Sequence, residues 1–369
     1  MIRVLVFGMT SNPGGVESFL INYYRHIDRN KIQFDFLCNS HEPIAYEEEV
    51  IGLGARTFHI AARSQNMVRY KKELKKVFDQ HANEWDAIWV NISSLANIDY
   101  LKIAKKYRIE RRIIHSHNSD NMDSKIRGIL HKWNRLWIGS YATDFWACSM
   151  DAAQWFYKEK LIKKAVVIHN AIDVMRLTYD EQKRKQIRSR LGIGNEYVVG
   201  NIGRLHFQKN QTFVIDVFNE FTKKCPESRL VFVGQGEDEK MLKKKSETLG
   251  LTGKVIFVGV QRDIEAWLSA FDIFLFPSLF EGLGIAALEA QANGLPVLAS
   301  SEVIPQEVKI NENFVFYNLS HSACKWAEQL LELKMNTSRM SVDELFQSFV
   351  SNGYEIGAEI DKLEKLLLK

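Results

Sequence analysis

Short apolar runs rich in β-branched residues alternate with longer amphipathic stretches along the whole chain. This alternation is typical of β-α-β units, in which helices connect the strands of a parallel sheet. In the first half of the chain the pattern predicts strands near residues 2–8, 32–38, 56–60, 87–91, 111–116, 144–148 and 165–169. In the second half it predicts strands near residues 197–203, 229–234, 254–259, 272–276, 296–299 and 313–317. We therefore expect an α/β fold with two doubly wound, Rossmann-like parallel sheets.

The 369 residues suffice for two domains of ordinary size, and a change in composition marks the boundary between them. Residues 174–196 are rich in Lys, Arg and Gln and poor in large apolar side chains, so we expect a linker there, either irregular or with one short helix. The first domain is predicted over residues 1–173 and the second over residues 197–340. Residues 341–369 are predicted to form a helical tail, because their apolar residues recur at spacings of three and four.

The clearest motif lies in a loop after a predicted strand, which is where open α/β sheets bind their ligands. Gly282 and Gly284 permit close approach of the backbone, and a helix predicted to begin near Leu283 would direct its first N–H groups at a diphosphate. Glu281 and Glu289 are eight residues apart and lie off one helical stripe, so they would contact different parts of a ligand. Carboxylates accept hydrogen bonds from hydroxyl groups, which favours one glutamate on a sugar and one on a ribose. The plainer alternative is a glycine-rich helix start with solvated glutamates.

Two cations follow another strand of the second half. Arg204 comes directly after Gly203, where this strand ends, and Lys209 comes five residues later. A planar guanidinium and a compact ammonium group that converge on one point suit a diphosphate. The sequence therefore predicts a phosphate-binding segment, with surface cations near a helix start as the alternative.

A pair of histidines stands at the carboxyl end of a first-half strand. His115 and His117 are two residues apart and share one face of this strand. At this position a His could bond a sugar hydroxyl or a phosphate oxygen, or stabilise charge in a transition state. A zinc site is one alternative, although the sequence offers no evident third ligand. Structural histidines satisfied within the core are another.

Two glycine motifs bear on nucleotide binding. Gly14 and Gly15 follow the first predicted strand, which again indicates a turn that faces a ligand, but this turn has neither the GK[ST] of a P-loop nor a GxGxxG. Gly234 and Gly236 form a GxG after another strand, but Glu239 occupies the place of the third glycine. An NAD-dependent oxidoreductase built on the same sheets is therefore an alternative with weak support.

The charge of the chain is uneven. Residues 1–175 contain 25 Lys and Arg against 19 Asp and Glu, whereas the remainder contains 24 against 26. The basic residues of the first half cluster at 71–76, 102–112 and 158–164. Solvated helix faces explain each cluster singly, but together the clusters predict a peripheral contact of the N-terminal half with an anionic membrane. No nucleic-acid-binding motif accompanies the charge, so nucleic acid is not an expected partner.

Cysteine usage and hydropathy indicate the compartment. Cys38, Cys148, Cys225 and Cys324 lie far apart without CxxC or zinc-type spacing, so we expect buried free thiols in a reducing environment. The sequence begins with an expected core strand rather than a signal-peptide pattern, and it has no apolar stretch long enough to span a membrane. We expect a cytoplasmic protein, with peripheral contact at the inner face of the membrane.

In their order along the chain, these motifs resemble those of the retaining glycosyltransferases of family four, of the polysaccharide-biosynthesis type. Gly14 to Glu17 resembles the opening glycine loop of the family, and Ile114 to Asn118 resembles its histidine strand end. Gly203 to Asn210 resembles its phosphate-binding segment. Glu281 to Glu289 resembles its E-x7-E signature, the most specific of these motifs. The resemblance implies a GT-B fold, in which two Rossmann-like domains face each other across a cleft, and a nucleotide-diphosphate sugar, with UDP favoured, bound mainly by the second domain.

The resemblance also implies roles for individual residues. Arg204 and Lys209 would hold the diphosphate and stabilise its departure, while Glu281 would bind the sugar hydroxyls and Glu289 the ribose. His117 would reach the sugar from the first domain. The implied donor-binding set is Gly15, Arg204, Lys209, Gly282, Leu283, Gly284 and Glu289, and the implied catalytic set is Glu281, His117, Arg204 and Lys209. Transfer would retain the anomeric configuration, consistent with a front-face attack in which the leaving phosphate takes the acceptor's proton.

The implied acceptor is a glycan or a lipid-linked glycan. No D-x-D motif occurs in the chain, so we expect no metal or other cofactor, and Arg204 and Lys209 would neutralise the diphosphate. The non-enzyme alternative is a non-catalytic GT-B partner subunit that binds and activates another protein. Such a subunit would be expected to lose the charged cleft residues that this chain retains.

Overall fold

The computed structural model describes residues 1–12, 14–118 and 125–369. Within these residues the chain forms two compact units. The first unit comprises Met1–Ala171 together with Ile356–Lys369, and the second comprises Ile172–Glu355. Each unit is built on one parallel sheet, so the predicted α/β class with two parallel-sheet domains is confirmed.

The first unit alternates strands and helices from its first residues. Up to Ala171 its elements are β1 (Ile2–Phe7), α1 (Gly15–His26), β2 (Ile32–Cys38), α2 (Glu47–Gly52), β3 (Thr57–His59), α3 (Met67–His81), β4 (Ala87–Ile92), α4 (Asp99–Lys106), β5 (Arg111–Ser116), α5 (Lys125–Trp137), β6 (Asp144–Ala147), α6 (Met150–Phe156), α7 (Glu159–Ile162) and β7 (Val166–Val167). The strand order is β3-β2-β1-β4-β5-β6-β7. This order brings the carboxyl ends of β1, β4 and β5 to one edge of the sheet.

The second unit repeats this architecture. Its elements are α8 (Val174–Leu177), α9 (Glu181–Arg190), β8 (Tyr197–Ile202), α10 (Gln211–Lys224), β9 (Ser228–Val233), α11 (Glu239–Thr248), β10 (Val255–Phe257), α12 (Ile264–Ala270), β11 (Ile273–Phe276), α13 (Ile285–Ala292), β12 (Val297–Ser300), β13 (Phe314–Tyr317), α14 (Ala323–Asn336) and α15 (Val342–Ser351). The strand order is β10-β9-β8-β11-β12-β13, so β8 and β11 are neighbours. The last helix, α16 (Ile356–Leu367), belongs to the first unit.

Burial explains why the strands could be predicted closely. Every residue of β2 is buried, and so is every residue of β11, because helices cover both faces of each sheet. In the first sheet, Val6 lies opposite Phe36 on one side and Trp89 on the other. Every predicted strand is present within two residues of its expected bounds.

The structure differs from the predicted boundaries at residues 174–196, which form α8 and α9 within the second unit rather than a linker. Two arginines of this segment pack against the unit, whereas Lys185 and Arg190 are exposed. Arg184 Nη2 donates to Asp272 at 2.7 Å, and Arg188 Nη1 donates to the carbonyl of Ala270, in the last turn of α12, at 3.0 Å. The first of these bonds is an ion pair, and the second satisfies a carbonyl group that a helix end leaves without a partner.

The predicted tail also divides between the units. α15 belongs to the second unit, whereas Ile360 and Leu363 of α16 lie in the apolar core of the first. The main-chain N–H of Asp28 donates to Glu364 at 2.7 Å and further fixes α16. Local periodicity predicted these helices correctly but does not determine which core receives them.

Cysteine burial is only partly as predicted, since Cys38 and Cys148 are buried free thiols, Cys225 is half-buried and Cys324 is exposed. Throughout the described ranges, each helix is too short or too polar to cross a lipid bilayer.

Candidate functional site

Two of the predicted ligand-binding loops meet at the carboxyl ends of β8 and β11. The main-chain N–H of Leu279 donates to the carbonyl of Gln208 at 2.8 Å, and the Asn210 side chain donates to the carbonyl of Pro277 at 3.1 Å. Asn210 has φ +55°, a left-handed conformation that asparagine tolerates, and α10 begins at the next residue. The loop that carries the cations is thus bonded to the loop that begins the E-x7-E segment.

Lys209 and Glu281, predicted separately from sequence, form an ion pair. The Lys209 Nζ lies 2.6 Å from Oε1 and 2.9 Å from Oε2 of Glu281, and the Ser278 hydroxyl donates to Oε1 at 2.7 Å. The Glu281 side chain is buried, and the ammonium group also lies over the ring of Phe276 at 5.3 Å. Buried charges require such partners. A bound diphosphate would therefore compete with Glu281 for Lys209.

Arg204 is the more accessible of the two cations, with a side chain that is 65% exposed. Its guanidinium contacts the carboxylate of Glu237 at 3.1 Å, and the Nε2 of His206 lies 3.3 Å from the same carboxylate. Sequence reasoning did not single out Glu237 or His206. The position of Glu237 directly after the second glycine of the GxG was the available signal.

The GxG after β9 makes room for the loop that carries Arg204. A Cβ on Gly234 would lie 2.0 Å from the carbonyl oxygen of Gly203, and one on Gly236 would lie 2.1 Å from that of Leu205. Any other residue at either position would push this loop away. The glycine pair is therefore accounted for by packing, without a dinucleotide.

The turn before α13 differs in one detail from the prediction, because α13 begins at Ile285 rather than near Leu283. Gly284 has φ +89° and precedes the helix, and a left-handed residue cannot belong to a right-handed helix. The Leu283 side chain is buried in the apolar core of the second unit. Gly282, between Glu281 and Leu283, is half-buried.

Glu289 lies in α13 and is half-buried. Burial raises the pKa of its carboxyl to about 7 from an ordinary value of 4.5. The positive charge of Arg176 in α8 lowers this pKa, while the negative charge of Glu265 in α12 raises it further. Arg176 lies in the segment expected to be a linker, which is why sequence reasoning missed it. The carboxyl can therefore exchange a proton near neutral pH.

In the first unit, His117 follows β5 and is held by the neighbouring strand β4. Its Nε2 lies 2.9 Å from Oδ1 of Asn91, an acceptor, so the neutral ring donates from Nε2. Burial lowers the pKa of His117 to about 3, which keeps the ring neutral. Its Nδ1 has no hydrogen-bond partner among the described residues. This nitrogen is itself buried and keeps its capacity to accept a hydrogen bond.

His115 has a different environment, although its ring centroid is only 4.1 Å from that of His117. It is fully buried, edge-on to Phe19 and stacked on Trp89. Burial and the neighbouring His117 hold its pKa well below the ordinary value. The ring therefore contributes to the core. In the part of the chain that the structure describes, no cluster of three potential metal ligands accompanies the two rings.

The glycine turn after β1 is held by an acidic residue of α1. The carboxylate of Glu17 accepts hydrogen bonds from the main-chain N–H of Thr10 at 2.9 Å and from its hydroxyl at 2.8 Å. Gly15 is exposed at the start of α1, while Pro13 of the same motif lies outside the described residues. The Glu17 carboxylate also accepts from the main chain of Gly14, so the turn is held from within by this side chain.

Comparison with known families gives matches along nearly the whole chain. The family described as "Glycosyltransferase Family 4" matches residues 13–176. The family described as "Glycosyl transferases group 1" matches residues 183–353. The first matched range contains the histidine strand end at His117. The second contains the loop with Arg204 and Lys209 and the E-x7-E segment from Glu281 to Glu289.

Individual relatives and one solved structure agree with these matches. The chain is 28% identical over 336 residues to the putative glycosyltransferase EpsF of Bacillus subtilis, covering 89% of this chain and 86% of that protein. It is 22% identical to the UDP-Gal:alpha-D-GlcNAc-diphosphoundecaprenol alpha-1,3-galactosyltransferase of Escherichia coli, covering 96% and 93% of the two chains. The fold matches the crystal structure of HepE of Anabaena in complex with UDP-glucose, with a TM-score of 0.79, 20% identity and full coverage of both chains.

Proposed function

Because the chain belongs to the family-four glycosyltransferases with the GT-B fold, we propose that it transfers a sugar from a UDP-sugar to a glycan or lipid-linked glycan in polysaccharide biosynthesis. One observation carries the proposal: Arg204, Lys209 and Glu281 stand together on two bonded loops at the carboxyl ends of β8 and β11. A diphosphate and the sugar attached to it need these cations and this carboxylate. The glycosyltransferase assignment takes precedence over the oxidoreductase alternative, whose GxG is accounted for by loop packing.

Binding of the nucleotide-sugar donor is proposed to begin with the two cations, Arg204 and Lys209. Arg204 and Lys209 exchange Glu237 and Glu281 for diphosphate oxygens, and Gly282, Leu283 and Gly284 bring main-chain N–H groups to the same ligand. Glu289 in its ionised form accepts hydrogen bonds from the ribose hydroxyls. UDP is favoured because HepE was solved with UDP-glucose and the Escherichia coli relative is named for UDP-galactose.

In the proposed reaction, the bond between the anomeric carbon and the diphosphate oxygen breaks while the acceptor oxygen bonds to the same carbon on the same face. The acceptor's proton passes to the departing diphosphate, so the products are UDP and a glycoside of retained configuration. Arg204 and Lys209 stabilise the charge that develops on the diphosphate. Glu281 accepts hydrogen bonds from sugar hydroxyls and orients the ring. His117 is the residue by which the first unit is proposed to contribute to transfer.

The acceptor is proposed to be lipid-linked. The name of the Escherichia coli relative describes a diphosphoundecaprenol-linked sugar as its acceptor, and alignment with that relative covers 96% of this chain. The reaction is proposed to need no divalent metal, because the chain lacks a D-x-D motif and Arg204 and Lys209 supply two positive charges.

The test is an assay of nucleotide release from UDP-, GDP- and ADP-sugars, with and without an undecaprenyl-diphosphate-linked acceptor and with and without EDTA. We expect acceptor-dependent release of UDP at a rate that EDTA leaves unchanged. NMR of the product should show the anomeric configuration of the donor. Release from GDP- or ADP-sugars alone would refute the donor assignment, and rescue of an EDTA-inhibited rate by Mn²⁺ would refute metal independence.

A further inference from the structure

Helix α5 (Lys125–Trp137) presents its apolar side chains to solvent. Their exposed fractions range from 38% for Leu130 to 73% for Ile126, and the residues concerned are Ile126, Ile129, Leu130, Trp133, Leu136 and Trp137. At 100° per residue these six side chains fall within one third of the helix circumference. They form one continuous apolar stripe, which we call the α5 face.

The opposite side of α5 is attached to its unit by polar contacts. The Nδ1 of His131 accepts a hydrogen bond from the main-chain N–H of Leu95 at 3.1 Å, and the Asn134 side chain donates to the Leu95 carbonyl at 2.6 Å. Arg135 donates to the carbonyl of Tyr157 at 2.6 Å. A helix of a water-soluble domain normally turns its apolar stripe to the core, and α5 does the reverse. The first unit therefore leaves the α5 face uncovered, and a partner outside the chain is needed to bury it.

The charges on α5 identify what would cover this face. The helix contains Lys125, Arg127, Lys132 and Arg135 and no acidic residue. A helix with Trp, Leu and Ile on one face and Lys and Arg on its polar side has the composition of helices that lie in a membrane interface. Lys125 and Lys132 flank the α5 face, so two copies of α5 packed face to face would bring four lysines together, which disfavours self-association. An anionic lipid surface complements these charges and also covers the apolar side chains.

We propose that α5 docks the first unit onto an anionic phospholipid bilayer, with the α5 face inserted among the headgroups. This surface differs from the lysine clusters from which the sequence predicted membrane contact, because apolar insertion contributes as well as charge. The proposal rests on the proposed function only in that a lipid-linked acceptor would be met at the same surface. Binding to vesicles requires neither donor nor acceptor, so the two proposals can fail separately.

The test uses the full chain and vesicles of phosphatidylcholine with or without phosphatidylglycerol. The double variant Ile129→Ser/Trp133→Ser removes the centre of the α5 face, and Met67→Ser/Val68→Ser removes two exposed apolar side chains of α3 as a matched control. All four side chains are at least partly in solvent, so both variants should keep the wild-type Tm. We expect partition to anionic vesicles to fall roughly 100-fold in the α5 variant and to stay unchanged in the control.

Two further measurements separate charge from insertion. Lys125→Gln/Lys132→Gln should weaken binding to anionic vesicles and reduce its dependence on salt, with little effect on neutral vesicles. The tryptophan emission of the wild-type chain should shift to shorter wavelength on binding, and the α5 double variant should lose most of this shift. The proposal would be overturned by absence of binding to anionic vesicles at low salt, or by equal losses in the α5 and α3 variants. The proposal would also be overturned if the wild-type chain formed dimers without lipid and the α5 double variant stayed monomeric, because the α5 face would then serve self-association.

Discussion

Replacing Glu289 by Gln tests whether the buried carboxyl of this residue changes its protonation state near neutral pH and thereby changes the stability of the second unit. Burial raises the pKa of this carboxyl to about 7 from an ordinary value of 4.5. The folded chain therefore favours the protonated form, and this contribution to stability is complete below pH 4.5 and is lost as the pH rises through 7. The difference between the two pKa values corresponds to at most about 3 kcal/mol, since Glu289 keeps some contact with solvent.

The neutral amide of Gln does not lose this free energy at high pH. We expect the Tm of Glu289→Gln to exceed that of the wild type progressively between pH 5 and 8, with an upper limit of roughly 10 °C for a unit of this size. The assay is a series of thermal denaturation curves over this pH range. Glu247→Gln, which changes an exposed glutamate of α11 in the same unit, is the matched control and should follow the wild type. If the wild-type and Glu289→Gln profiles stay parallel, burial does not control this carboxyl and the reasoning is wrong.

The same ionisation should appear in ligand binding. If the Glu289 carboxylate accepts hydrogen bonds from the ribose, UDP binding below pH 7 has to release a proton. Affinity for UDP should then rise with pH up to about 7, by as much as tenfold per pH unit, and level off above it. Calorimetry in two buffers of different ionisation enthalpy measures the released proton directly. Glu289→Gln should bind UDP more weakly and without this pH dependence.

The remaining predictions concern Lys209, Glu281 and His117. Lys209→Ala should lower kcat/KM roughly 100-fold because it removes a charge that stabilises the leaving diphosphate, whereas Lys223→Ala on the exposed side of α10 should have no effect. Glu281→Gln should lower kcat by one to two orders of magnitude while UDP affinity measured by calorimetry is retained, since Lys209 no longer has a competing carboxylate; a large loss of UDP affinity would contradict the assigned role. His117→Ala should slow transfer, and the pH–rate profile of the wild type should show no ionisation of His117 between pH 5 and 8, because its pKa is about 3; a step that disappears in this variant would contradict a neutral ring.

The strands were predictable because a parallel strand that is covered on both faces consists almost entirely of apolar residues, and such a run is visible in the sequence. β2 and β11 are buried along their full length, and short, almost wholly apolar runs of this kind are typical of such strands. The loops of the candidate site were predictable for a related reason, since glycines and charged residues directly after such runs stand out. Their order along the chain then matched a known family.

Features that depend on distant partners were not predictable. Arg188 is part of a polar segment, and only the folded chain shows that it donates to the end of α12, more than 80 residues away. Glu237 had one signal in the sequence, its place directly after the GxG, but its guanidinium partner Arg204 is evident only in the folded chain. The periodicity of α5 predicts an amphipathic helix, but it contains no information about which side faces the protein. That side is set by the hydrogen bonds of His131 and Asn134 to the backbone of Leu95.

The return of α16 to the first unit has a consequence for synthesis on the ribosome. Residues 1–171 emerge first, but Ile360 and Leu363, which complete their core, emerge only after the whole second unit has been made. At about 5–20 residues per second, the nascent first unit waits roughly 10–40 s with an uncovered apolar surface beside α1. During that interval the second unit is the part of the chain that can finish folding. Loss of Ile356–Lys369 would make the temporary exposure permanent, so a premature stop codon before Ile356 would damage the first unit, although that unit is translated earlier.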